Sequence, residues 1–135
     1  MLKHELLVIS ATVERPPTNE EQIVEWKKEL IKAIGMDILD GPRAVYFTEM
    51  EGNRGMTVSS IIKTSHIVLH TWDEVSPAKF ELDIYSCAPV DLLAVYAMIE
   101  QFGVVSCHYK YIDRDNGLNT IAEGDNLKKF LTFKS

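Results

Sequence analysis

Residues 63–87 read KTSHIVLHTWDEVSPAKFELDIYSC. Within this stretch Ser65 to Trp72 is rich in β-branched residues, with no helix former dominating, and Phe80 to Ser86 alternates apolar with polar side chains. Both runs therefore predict strands. The same window holds Ser65, His66, His70, Trp72, Asp73, Glu74 and Cys87, more groups capable of chemistry than any other window of similar length.

Outward towards the N-terminus, Met56 to Ile62 and Arg43 to Met50 predict two further strands, joined by a hairpin at Glu51-Gly52-Asn53-Arg54-Gly55. Asp40-Gly41-Pro42 predicts a turn before them. Glu5 to Val13 is a short Leu/Ile/Val-rich run, a strand ended by Arg15-Pro16-Pro17. Thr18 to Glu21 has the form of a capping box, with Thr18 as N-cap and Glu21 reaching back. The helix it opens sets Ile23, Trp26, Leu30 and Ile34 on one face and leaves Glu25, Lys28, Glu29 and Lys32 to solvent. Gly35 ends that helix, and Trp26 belongs to the core.

Towards the C-terminus, Val90 to Phe102 predicts a second, broadly apolar helix stopped by Gly103. Val104 to Ile112, with Cys107 and His108, predicts the last strand, and Asp113 to Asn119 a turn. Residues 119–135 are expected to form a loosely packed tail or a short helix. The order strand, helix, four strands, helix, strand implies an α+β fold: a two-layer sandwich with an antiparallel sheet and both helices on one face. Nothing in residues 1–135 suggests a linker or a repeat, so one domain is expected.

Composition narrows the function classes. The chain has 135 residues, 46% hydrophobic and 25% charged, with a formal net charge of −6. That balance suits a globular protein and argues against nucleic acid, which needs clustered Lys and Arg. It suits a cationic small ligand better. No run reaches the ~18 apolar residues of a membrane span. With two cysteines and no signal-like start, a cytosolic protein with reduced thiols is expected.

The reactive groups admit several readings. His66 and His70, four apart, would share a metal on a helix. On a strand that spacing separates them by about 13 Å, so no metal site is expected. Ser65 and His70, five apart, fall on opposite faces of a strand, roughly 16 Å apart. Either the strand breaks at Ser65 or the two residues serve different sites, each completed by a second protomer. His70, Trp72 and Glu74 share a face by the period-two rule. An imidazole, an aromatic plane and a carboxylate in one row suit a base-like ligand with hydroxyls. The plainer alternative is a core histidine, a buried tryptophan and a surface acid.

The block Ser65-His66-Ile67-Val68-Leu69-His70-Thr71-Trp72-Asp73-Glu74 resembles the signature of the prokaryotic S-adenosylmethionine decarboxylases, Glu-Ser-His-x-x-x-His-Thr-Trp/Tyr-Pro-Glu. Asp83-Ile84-Tyr85-Ser86-Cys87 is similar to that family's Asp-x-Phe-Thr-Cys, and Gly55-Met56-Thr57 to its Gly-Val-Ser/Thr. The resemblance spans roughly Leu2 to Asp113 and implies a self-processing enzyme that uses a pyruvoyl group. By it, Ser65 would attack the preceding carbonyl, turning the amide into an ester, and β-elimination would cut the Thr64–Ser65 bond. The pyruvoyl group left on Ser65 would form a Schiff base with the amine of S-adenosylmethionine and draw electrons as CO₂ leaves, supplying the aminopropyl donor for spermidine synthesis.

The resemblance also distributes roles. Thr57 and His70 would assist processing, Cys87 would return a proton to the decarboxylated carbon, Trp72 would help form the nucleoside pocket and Glu74 would bind ribose hydroxyls. It implies a homodimer with composite sites, pyruvoyl and cysteine from one protomer, histidine and acid from the other. Cys107 and His108 match no family position and are left as structural. Five departures stand out. Thr64 replaces a glutamate, Asp73 replaces a proline and so is expected to loosen the turn carrying Glu74, and Ala88 replaces a glycine. The loop Val75 to Lys79 is about two residues longer than in the family pattern, and the aromatic ahead of the Gly-Val-Ser block is missing, with Phe47 as no more than a candidate substitute. The alternatives are a pyruvoyl decarboxylase of ornithine or arginine, and a non-processing homologue that binds a nucleoside or regulates an active partner.

Overall fold

Period-two burial runs through the strand-forming segments and decides which side of the sheet is core. In Glu5–Val13 (β1) Leu7, Ile9, Ala11 and Val13 are buried, and in Ala78–Ser86 (β5) so are Phe80, Leu82 and Ile84. Gly55–Ile62 (β3) and Ser65–Trp72 (β4) repeat the pattern with Met56, Val58 and Ile62, and with Ile67 and Leu69. The computed structural model describes residues 3–125. Adding Ile38–Phe47 (β2), Val104–Asp113 (β6) and Asn119–Gly124 (β7), the described strands form one antiparallel sheet of seven, ordered β2-β3-β4-β5-β1-β6-β7.

Helices Glu20–Ala33 (α1) and Leu92–Ile99 (α2) touch each other and cover one face. Trp26 of α1 packs edge-on to Phe80 and Phe102, and its indole N–H donates to the Met98 carbonyl at 3.0 Å. The arrangement is the expected two-layer α+β sandwich, with both helices on one side. The opposite face of the sheet carries no helix among the described residues and presents Thr57, Ile61, His66, Val68, His70, Trp72 and Tyr85. Among the described residues no helix is long and apolar enough to cross a membrane.

Four local differences from the sequence reading have physical causes. The N-cap of α1 is Asn19, whose side chain accepts from the Gln22 N–H at 2.9 Å, so the helix starts one residue later than a Thr18 cap implies. Asp40-Gly41-Pro42 lies inside β2, not before it. This is an edge strand, where a missing N–H is tolerated, and the register shifts twice around these residues. Gly41 has φ +92°, and a Cβ there would sit 2.8 Å from the Ser59 carbonyl oxygen. The second helix begins after Asp91, which caps Leu93 and Ala94, and finishes as a 3-10 turn at Glu100–Phe102.

The fourth difference corrects the tail. Residues 119–124 are a strand paired with β6, entered through a turn in which Asp113 accepts from Asp115 N–H and Asn116 Nδ2. With only Ile121 and Ala122 apolar, β7 has little pattern of its own and is defined by its ladder. The remainder of the expected tail, with Leu127, Phe130 and Leu131, lies outside the described residues.

Candidate active site

β4 runs unbroken from Ser65 to Trp72, so its two ends carry two separate groups of functional side chains. At the first end, the turn Lys63-Thr64 delivers Ser65 into the strand with φ 148°. Serine seldom adopts positive φ, and such residues persist only where surrounding structure holds them. What holds it is visible. Ser65 pairs with Ile62 on β3 and Ser86 on β5, and the backbone N–H of Cys87 donates to the Thr64 carbonyl oxygen at 2.9 Å. The Thr64 hydroxyl is shielded from solvent and has no hydrogen-bond partner among the described residues. Cys87 is partly buried, one residue beyond β5. Ser65, Thr64 and Cys87 are thus brought together.

At the other end Thr57 of β3 faces His70 of β4 across the ladder, and Thr57 Oγ1 and His70 Nδ1 are 3.0 Å apart. The close approach here depends on Gly55, since a Cβ at that position would lie 1.7 Å from the Thr71 carbonyl oxygen. The His70 and Trp72 rings are 5.9 Å apart between centroids. Phe47, Asn53, Thr57, His70 and Trp72 line a cavity of about 420 Å³. Trp72 also borders a second cavity of about 290 Å³, with Gly52, Glu74, Val75 and Lys79. Phe47 therefore shares a cavity with Trp72, as a substitute for the missing aromatic must. Val75 and Lys79, from the longer loop, border the other one. A further cavity of about 480 Å³ beside His108 and Lys110 includes none of the residues to which the resemblance gives a catalytic or binding role.

Ser65 and His70 are not brought together within one chain. Five residues of strand separate them, roughly 16 Å. His66 and His70 are likewise kept apart on β4, and among the described residues no three His, Cys, Asp or Glu side chains converge on a metal position. His108 is exposed, with Nδ1 3.2 Å from Asp125 Oδ1, and Cys107 is buried.

Asp73 overturns one expectation. The segment it occupies is tied down, not loosened. Its carboxylate accepts from Arg54 Nε and from the Tyr46 hydroxyl, each at 2.6 Å, and its N–H donates to the Arg54 carbonyl at 3.1 Å. The Asp73 hydrogen bond raises the pKa of Tyr46 above its ordinary value, followed by burial, and the same carboxylate raises that of Arg54. On either side, Trp72 Nε1 donates to Asn53 Oδ1 at 2.9 Å and Gly52 N–H to Glu74 Oε2 at 2.5 Å.

Other residues were not singled out by sequence. Lys27 of α1 is 0% exposed, beneath β3 and β4, and donates to the carbonyls of Val58 (2.7 Å) and Ile67. Burial lowers its pKa to about 7. Its position midway between Ile23 and Ile31 on the buried face is the signal for it. Glu5 is buried beside the Ser65 end and accepts from Tyr111, whose hydroxyl also accepts from the Val90 N–H at 2.9 Å.

Comparison with known proteins agrees with the residue pattern. No curated protein matches the sequence. The crystal structure of the adenosylmethionine decarboxylase from Aquifex aeolicus VF5 superposes with a TM-score of 0.63 at 19% identity, covering 84% of this chain and 92% of that one, which is a likeness of fold. The model of the S-adenosylmethionine decarboxylase family matches residues 11–115, from the last three residues of β1 to the turn after β6, and the chain belongs to that family.

Proposed function

We propose that the chain is a pyruvoyl-dependent decarboxylase of S-adenosylmethionine that matures by cutting its own Thr64–Ser65 bond and works as a homodimer. The observation that carries this reading is the backbone at the bond itself. Ser65 stands at φ 148° while the Thr64 carbonyl accepts from the Cys87 N–H. A strained nucleophile residue and a polarised carbonyl are what an N-to-O acyl shift requires. The Ser65 oxygen adds to the Thr64 carbonyl carbon, charge develops on the oxygen that Cys87 N–H holds, and the C–N bond gives way to an ester. Elimination then releases Thr64 as a carboxylate and leaves dehydroalanine at position 65, which water would convert to the pyruvoyl group with loss of ammonia.

These residues fit a pyruvoyl group, because Ser65 is its precursor and Cys87 is beside it. That group supplies an electron sink when CO₂ leaves. The chain's own residues do the rest. The Cys87 thiol holds the proton for the carbon left behind, Trp72 and Phe47 flank the base, and Glu74 binds ribose hydroxyls. His70, oriented by Thr57, moves the serine proton during processing.

Because His70 lies too far along β4 to reach Ser65 of its own chain, it serves the site of a second copy. The helix-free face, with Val45 61% and Ile61 51% exposed among polar groups, is the surface for that copy. The reading retains a cytosolic enzyme that feeds spermidine synthesis. Thr64 in place of an acid favours the second reading, a non-processing homologue that binds a nucleoside.

Mass spectrometry of the purified protein separates the two. Fragments 1–64 and 65–135, the second blocked by a pyruvoyl group, are expected. One intact chain after prolonged incubation overturns the enzyme reading. Release of labelled CO₂ from S-adenosylmethionine, and not from ornithine or arginine, identifies the substrate.

A further inference from the structure

We infer that Asp73 is the positioning residue of the nucleoside half of the site, an inference that rests on the function proposed above. Trp72, Asp73 and Glu74 are consecutive, and each is bonded to one residue of the β2–β3 turn: Asn53, Arg54 and Gly52 respectively. The outer two bonds are solvent-exposed single contacts, of the kind that water competes for. The central one is different. The Asp73 side chain is only 4% exposed, and a carboxylate so enclosed must be paired. It meets a guanidinium and a phenol at 2.6 Å each, and Arg54 also donates from Nη2 to the Asp73 carbonyl at 3.2 Å.

Asp73 therefore links three strands. Tyr46 comes from β2, Arg54 precedes β3, and Asp73 itself follows β4. With the turn fixed by Asp73, the Asn53 amide sets the plane of the Trp72 indole. The Gly52 N–H occupies one oxygen of Glu74 and leaves the other for a hydroxyl pair. The cavity between Phe47 and Trp72 keeps its width by the same means, because Phe47 and Arg54 bracket the turn. Asp73 touches no ligand in this account and acts through its neighbours.

The test is adenosine binding by calorimetry to the wild type, Asp73→Asn, Arg54→Met and the double variant, with KM and kcat for S-adenosylmethionine and the extent of self-cleavage in parallel. Each single variant is expected to weaken adenosine binding about tenfold, the size of one lost charge-assisted hydrogen bond. The double variant is expected to be no worse than either single one, because both remove the same bond. The loss should fall on KM and not on kcat, and Thr64–Ser65 cleavage, which uses no nucleoside, should be unchanged.

Amide exchange at Gly52 and Arg54 should quicken in Asp73→Asn whatever the ligand. Equal adenosine affinity in wild type and Asp73→Asn overturns the inference and leaves the proposed function standing. Parallel loss of cleavage and kcat also overturns it, by showing a general structural role. A wild type that cleaves itself but binds no adenosine overturns the nucleoside assignment and this inference together.

Discussion

The backbone N–H of Cys87 donates to the carbonyl oxygen of Thr64 at 2.9 Å, so in the proposed function one residue would touch the chemistry through two different atoms. On the function proposed above, the main-chain N–H would polarise the bond to be cut, and the thiol would serve only after the cut. Cys87→Ala keeps the first and deletes the second. It is expected to cleave at Thr64–Ser65 as the wild type does, yet to decarboxylate about 10²-fold or more slowly, the usual loss for a missing proton donor. Mass spectrometry and CO₂ release on the same sample check both halves.

Thr57 and His70 are held 3.0 Å apart across neighbouring strands, which fixes the ring orientation of the imidazole. Thr57→Val removes that partner at nearly constant volume. Self-cleavage should slow by roughly tenfold while the final products stay the same, and Thr57→Ser should restore most of the rate. A time course of intact chain against fragments reads this directly.

Ser65 at φ 148° predicts an inversion of the ordinary order of residue preferences. Neither Ser65→Ala nor Ser65→Gly has a nucleophile, so both should stay whole. Glycine accepts positive φ without steric cost, so Ser65→Gly should be the more stable of the two by about 1 kcal/mol. Urea denaturation of the two uncut proteins tests it. Cleavage of either at the same bond would mean that another group is the nucleophile.

Lys27 makes stability depend on pH with a known sign. Its folded-state pKa is lowered to about 7 by burial, so between pH ~7 and ~10.4 the unfolded chain binds the extra proton and the folded one does not. Unfolding free energy should therefore rise with pH across that window, by at most about 1.4 kcal/mol per unit. The cost is fully present below pH ~7. In Lys27→Met the contribution is gone. The wild type should gain on the variant steadily from pH 7.5 to 9. A constant difference would mean that Lys27 keeps its proton in the folded chain.

Much of the fold was legible because its signals are local. Alternation in Leu7–Val13 and Phe80–Ile84 marks strands that are buried on one side, and Gly35 and Gly103 mark helix ends by left-handed backbone. β7 was not legible, since an edge strand with two apolar side chains is specified by its partner. Of the site, the Ser65–His70 separation followed from strand geometry alone. The Asp73–Arg54 pair did not, although one signal for it existed. Continuing the register that sets Thr57 opposite His70 places Arg54 opposite Asp73, two opposite charges. Reading that requires the hairpin to be known first. Lys27 was missed because a lysine on an apolar helix face is ordinarily counted as solvated.

The strand order has a consequence for the mature molecule. A cut after Thr64 would leave β1, β2 and β3 on one polypeptide and β4 to β7 on the other, yet β1 lies between β5 and β6. The two pieces would be interleaved like the fingers of clasped hands. The β3–β4, β5–β1 and β1–β6 ladders would all run from one piece to the other. Maturation would then open a covalent link at a turn without freeing either piece. The fragments should migrate as a single species under native conditions and part only in denaturant.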